Sequence, residues 1–154
     1  MNDRPPRFVV DSMLGSLARW LRILGYDAEY DSRRDDPELV RLARAEDRVL
    51  LTRDRALANR RGVRSLFVES QDLDEQLVQV TATFPLSPEQ YEGHCPVCNT
   101  ALIVATREEV EGAVPPYVLR HHRRFQRCPG CQRVYWQGSH WRGMRDRLDR
   151  LPNF

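Results

Sequence analysis

With 154 residues the chain has room for one ordinary domain, or for a compact domain of about 90 residues followed by a small module that needs a staple; two large domains are excluded. Hydrophobic residues make up 41% and charged ones 30%, and Asp11, Arg19 and Arg22 break the most apolar region well short of the roughly 20 residues that span a bilayer, so a soluble protein without a membrane partner is expected. The net charge of +2 hides a division: residues 1–92 hold 14 basic and 17 acidic side chains, net −3, and residues 93–154 hold 10 and 5, net +5.

The first residues, MNDRPPRFVV, place an acid and two prolines where a secretion signal needs an apolar core, which leads us to expect a cytoplasmic protein. FVVD (8–11) reads as a short strand ending in an acid, and MLGSLARWLRIL (13–24) as an amphipathic helix, with Gly25 as its stop. AEYD (28–31) makes a second strand and PELVRLARAE (37–46) a second helix with proline in its first turn. RVLLTRD (48–54) is a buried strand, RALANRR (55–61) a short helix, RSLFVES (64–70) a fourth strand and DLDEQLVQVTATF (72–84) a closing helix. Strands alternating with helices imply a parallel sheet of four or five strands flanked by helices, an α/β domain over residues 1–84. PLSPEQYEG (85–93) reads as a linker. Residues 94–154 switch to short strands and turns around cysteines, ending in a helix from about Trp141 to Leu151.

Acids gather at one edge of this sheet. In an open parallel sheet the ligand site lies beyond the carboxyl ends of the strands. Asp11, Asp31 and Asp54 end strands, Asp35 and Asp36 precede the second helix, and Asp72 and Asp74 follow the fourth strand. Crowded carboxylates call for a counter-charge, and an oxygen-only site suits Mg²⁺ or Mn²⁺, which activate water for phosphoryl transfer. Asp11, Asp36, Asp54 and Asp72 also stand where helix caps stand, and capping explains each one separately.

The four cysteines form two Cys-x2-Cys pairs, Cys95/Cys98 and Cys128/Cys131, separated by 29 residues. Two such knuckles supply the four thiolates of a tetrahedral structural Zn²⁺ site, and about 60 residues would scarcely fold without that staple. A redox role would require a CxxC opening a helix after a strand, which neither pair does. His94 adjoins Cys95 as an outside candidate ligand.

The segments FVVDSMLGSLARWLRILGYDAEY and DDPELVRLARAEDRVLLTRDRAL, together with the paired CxxC motifs, resemble the Mut7-C family, PIN-like ribonuclease domains carrying a C-terminal zinc ribbon. The resemblance covers nearly the whole chain. It implies a PIN-like sheet, followed by a Cys₄ zinc ribbon, and metal-dependent cleavage of RNA by clustered acids. Carried over by position, those acids are Asp11, Asp54 in the T-x-D motif, and Asp36 or its neighbour Asp35, with the hydroxyls of Ser12 and Thr52 beside them. The chain departs from full PIN nucleases in lacking their additional glutamate, leaving Asp31, Asp72 or Asp74 as candidates for a fourth acid.

All 24 basic residues are arginine, which reads first as the mark of a GC-rich genome, although the planar fork of arginine also grips phosphate bidentately. Arg19 on the first helix and Arg53 beside Asp54 lie close enough to the acidic rim to hold a phosphodiester, whereas Arg22 and Arg55 read first as solvated surface arginines. In the basic second part, YVLRHHRRFQR (117–127) interleaves Arg120, Arg123, Arg124 and Arg127 with aromatics, and RVYWQGSHWR (133–142) adds Tyr135, Trp136 and Trp141. Guanidinium groups tracking phosphates and rings stacking on bases are what single-stranded or structured RNA needs. The expected function is therefore metal-dependent RNA cleavage or processing. The alternatives are a non-catalytic RNA-binding or ribosome-associated adaptor, and a hydrolase acting on DNA or phosphate esters.

Overall fold

Phe8, Val9 and Val10 have no exposed surface, as expected of a strand covered on both faces. The computed structural model describes residues 4–87 and 93–152, so residues 88–92 of the expected linker lie outside the described residues. The chain divides into two units, Met1–Asn99 and Thr100–Phe154.

The first unit carries the alternating pattern: β1 (Arg7–Val10), a 3₁₀ turn (Ser12–Leu14), α1 (Gly15–Leu24), β2 (Asp27–Glu29), α2 (Asp36–Ala45), β3 (Val49–Thr52), α3 (Arg55–Ala58), β4 (Ser65–Phe67) and α4 (Leu73–Thr83). Its four strands lie in the order β2-β1-β3-β4, all parallel, with Phe8 opposite Ala28 and Val49, and Leu51 opposite Leu66. On one face Val9 and Leu50 pack with Leu39, Val40, Ala43 and Leu57 from α2 and α3. On the other, α1 packs against α4, and the Phe8 ring meets Tyr26 and Phe84 with centroids 5.4 and 5.5 Å away. Gly25 ends α1 in the left-handed conformation, φ 107°, which glycine adopts without steric cost.

The second unit is a three-stranded antiparallel sheet in the order β5 (Ile103–Ala105), β6 (Phe125–Arg127), β7 (Val134–Tyr135). Two helices not expected from the sequence, α5 (Arg107–Val110) and α6 (Pro116–His121), lie between β5 and β6, and α7 spans Ser139–Asp149. The small core joins Ala105, Val110, Val114, Val118 and Phe125, with Leu119, Val134 and Trp136 packed on it. Among the described residues no helix is long and apolar enough to cross a membrane.

Candidate functional site

The strand order reverses direction between β1 and β3, because the chain passes from β1 to β2 on one side and returns to place β3 on the other. At such a switch point two crossovers leave in opposite directions and open a crevice at the carboxyl edge. Asp11 follows β1 and Thr52 ends β3 there. The Asp11 amide extends the ladder by donating to Leu51 O at 3.0 Å. One Asp11 oxygen accepts the Ser12 amide at 2.7 Å and the other accepts the Thr52 hydroxyl at 2.7 Å. Thr52 is fully buried and Asp11 is 9% exposed. The Thr52 oxygen also accepts the Asp54 backbone amide at 3.0 Å, so one hydroxyl ties the Asp11 carboxylate to the Asp54 backbone just past the ends of neighbouring strands.

Asp54 caps α3, accepting the Leu57 amide at 3.1 Å. Of the two acids before α2, Asp35 is the cap, accepting the Glu38 amide at 3.0 Å, and Asp36 is the first helical residue. Desolvation raises the Asp36 carboxyl above its ordinary range, and the negative charges of Asp11 and Asp54 push it the same way, against the charge of Arg60. Asp11, Asp36 and Asp54 therefore share one electrostatic environment. The candidate fourth acids have other partners: both oxygens of Asp31 take the Arg33 guanidinium, which holds its carboxyl at about 2, and Asp72 caps α4 through the Glu75 amide. Asp74 lies in the first turn of α4.

The arginines divide as well. Arg19 is exposed on α1, whereas Arg53 donates to Val68 O and Glu69 O and Arg55 lies 4.3 Å over the Phe67 ring. Arg22 departs from the expectation of a solvated surface arginine. It is buried, with Nε 2.8 Å from Ala28 O and Nη1 2.9 Å from Pro96 O. Sequence spacing contained that signal, since Arg22 stands four residues after buried Ala18 on the same helical face. In the second unit Arg120, Arg123 and Arg124 are exposed. Arg127 reaches Gln132 Oε1 at 3.3 Å and Glu109 at 4.0 Å. His140 is exposed in the first turn of α7.

The cysteine sulfurs of Cys95, Cys98, Cys128 and Cys131 all lie within 4.8 Å of one another. A tetrahedron of Zn–S bonds about 2.3 Å long places sulfurs about 3.8 Å apart, so the donor set fits zinc. Among the described residues no group of carboxylates converges to that degree. Both knuckles are built alike. The Asn99 amide donates to Cys95 O and the Gln132 amide to Cys128 O, each at 2.8 Å, and both residues take the left-handed conformation, φ 65° and 68°.

Asn99 was not singled out by sequence, yet it fastens the first knuckle to β2. Its Oδ1 accepts the Ala28 amide at 3.0 Å and its Nδ2 donates to Asp27 at 2.7 Å. With Arg22 on the Ala28 carbonyl, both backbone groups of one edge-strand residue are satisfied by side chains, as a neighbouring strand would do. Burial favours the neutral form of Asp27, but hydrogen bonds from Arg48 and Asn99 outweigh it and leave that carboxyl below its ordinary range.

The family model described as the Mut7-C RNAse domain matches residues 6–148. No curated protein and no solved structure matches the chain. With the match running from β1 through the acids and both cysteine knuckles to α7, the chain belongs to the Mut7-C RNAse domain family.

Proposed function

We propose that the chain is a metal-dependent ribonuclease whose working acids are Asp11, Asp36 and Asp54. The observation that carries this reading is the shared environment of the three: Thr52 links the Asp11 carboxylate to the Asp54 backbone, and the charges of Asp11 and Asp54 both act on Asp36. An oxygen-only donor set fits Mg²⁺ or Mn²⁺, and either ion, when bound, would lower the pKa of a water and offset charge developing on the phosphodiester. Asp11, gripped by Ser12 and Thr52, supplies a fixed carboxylate. Asp36 and Asp54 are exposed and reach the solvent side of the crevice. In the basic second unit Arg120, Arg123 and Arg124 hold RNA phosphates, and the four cysteines bind a structural Zn²⁺ that leaves no coordination position open for catalysis.

The test is cleavage of a labelled single-stranded RNA in Mn²⁺. Asparagine caps helices as well as aspartate does, so Asp54→Asn removes the charge and keeps the α3 cap. Cleavage by the parent that is lost in Asp54→Asn, with RNA affinity retained, supports the reading. RNA bound but left intact by the parent in Mg²⁺ and Mn²⁺ favours the adaptor instead. Cleavage of an all-deoxy oligonucleotide at an equal rate would assign a broader phosphodiesterase.

A further inference from the structure

A groove of about 510 Å³ opens beside the acids, lined by Pro37, Val40, Arg41, Arg44, Ala45 and Arg60. Three guanidinium groups and no carboxylate stand in its wall. Among the described residues none of the three arginines is in an ion pair, although a surface carrying this many acids has partners to offer. Like charges gathered in one concavity repel one another, and an anion relieves that repulsion.

The wall is built rather than incidental. Arg44 on α2 donates to Arg61 O at 2.7 Å and Gly62 O at 3.3 Å, bracing the loop that carries Arg60. Gly62 has φ 77°, and a Cβ there would lie 3.1 Å from the Arg44 guanidinium, so the loop closes directly on that side chain. Arg41 stands three residues before Arg44, on the same side of α2. Pro37, at the other end of the lining, follows Asp36 directly, and the Arg60 charge is felt at Asp36. The lining thus begins one residue from Asp36.

We infer that this groove carries the phosphodiester backbone of single-stranded RNA, holding nucleotides adjacent to the one at Asp11, Asp36 and Asp54, with Arg41 and Arg60 on the phosphates and Arg44 positioning the loop. Pro37 and Val40 offer an apolar floor to a sugar or base edge. The inference rests on the ribonuclease reading and adds the path of the substrate on the first unit.

The experiment measures affinity of the full-length Asp54→Asn chain for a fluorescent single-stranded RNA over a salt series without added divalent ions, alongside cleavage by the otherwise unchanged chain. Each phosphate contact to single-stranded nucleic acid contributes about 0.7 to the slope of log K against log salt, so Arg41→Gln with Arg60→Gln should lower the slope by about 1.4 and weaken binding about tenfold or more. Arg41→Lys with Arg60→Lys should restore most of the slope. A slope unchanged in the double glutamine variant, with RNA still cleaved by the parent, overturns the groove alone. A lowered slope in a chain whose parent never cleaves RNA supports the groove and overturns the nuclease. A parent that neither binds nor cleaves RNA overturns both.

Discussion

The Thr52 hydroxyl donates to Asp11 at 2.7 Å and accepts from the Asp54 amide at 3.0 Å, joining the ends of β1 and β3 through one buried oxygen. Valine has nearly the same shape and neither hydrogen-bonding capacity. Thr52→Val should therefore cost about 1–3 kcal/mol, the range for leaving buried polar groups unpaired, and should lower RNA cleavage more than RNA affinity. Thr52→Ser keeps the hydroxyl and should retain most of the activity. Urea unfolding read with single-turnover cleavage checks both, and equal activity of the valine and serine variants would contradict the role of the hydroxyl.

Asp36 is held with a raised carboxyl pKa by desolvation and by Asp11 and Asp54. A folded-state pKa above the unfolded one means that the native protein binds more protons in the interval between them, so stability falls as pH rises through that interval and stays lower above it. Removing the charge relieves this. Asp36→Asn should raise the melting temperature at pH 7 in the absence of Mg²⁺ or Mn²⁺, with the gain vanishing below about pH 4, where the carboxyl is protonated in either state. The same substitution should shrink the stabilisation that Mn²⁺ gives the parent and abolish cleavage. A variant melting at the parent's temperature at both pH values would show that the three acids do not burden the fold.

The sheet was legible because its strands are short apolar runs and its helices carry clear stripes: 8–11, 48–54 and 64–70 contain the observed β1, β3 and β4 apart from Arg7, and 13–24 and 72–84 contain α1 and α4. The strands proved shorter than their apolar runs, since Val68 buries its side chain beyond the last residue of β4. Short helices resist this reading. With four and six residues, α5 and α6 complete fewer than two turns, too little for a stripe to emerge. Spacing alone could not separate Asp35 from Asp36, because both precede the helix expected from Pro37; the cap bond to Glu38 makes Asp35 the cap and Asp36 the first helical residue. Asn99 looked like an ordinary residue after a CxxC, and its work depends on Asp27 and Ala28, some 70 positions earlier in the chain.

At Asn99 the two ends of the amide do different things, which makes aspartate an informative replacement. The carbonyl oxygen accepts from Ala28, a task a carboxylate can perform. The amino group donates to Asp27 at 2.7 Å and approaches Glu29 at 3.5 Å, and a carboxylate there sets three negative charges together. Asn99→Asp should cost about 2–4 kcal/mol near pH 7 and less in acid, whereas Asn99→Gly should cost less than aspartate, because glycine accepts φ 65° and introduces no charge. Chemical denaturation at pH 7 and pH 5 measures the difference; aspartate behaving like glycine at both would remove the charge argument.

Zinc removal should be felt at β2, because Pro96 and Asn99 belong to the Cys95–Cys98 knuckle and both grip the edge strand's surroundings. Without the ion the thiolates repel one another, and the turn that presents the Pro96 carbonyl and the Asn99 side chain is no longer held. Native mass spectrometry should find one Zn²⁺ per chain, lost in Cys95→Ser and in Cys128→Ser. Hydrogen exchange then reads the consequence locally. The Ala28 amide, donated to Asn99, should exchange at least tenfold faster after zinc is withdrawn, while the Leu50 amide, donated to Arg64 O within the sheet, should keep its protection. Because EDTA takes both kinds of ion, restoring Mn²⁺ alone after chelation should leave Ala28 fast, and restoring Zn²⁺ alone should slow it. Equal exchange at Ala28 with and without zinc would mean that Asn99 and Arg22 hold the knuckle in place without help from the metal.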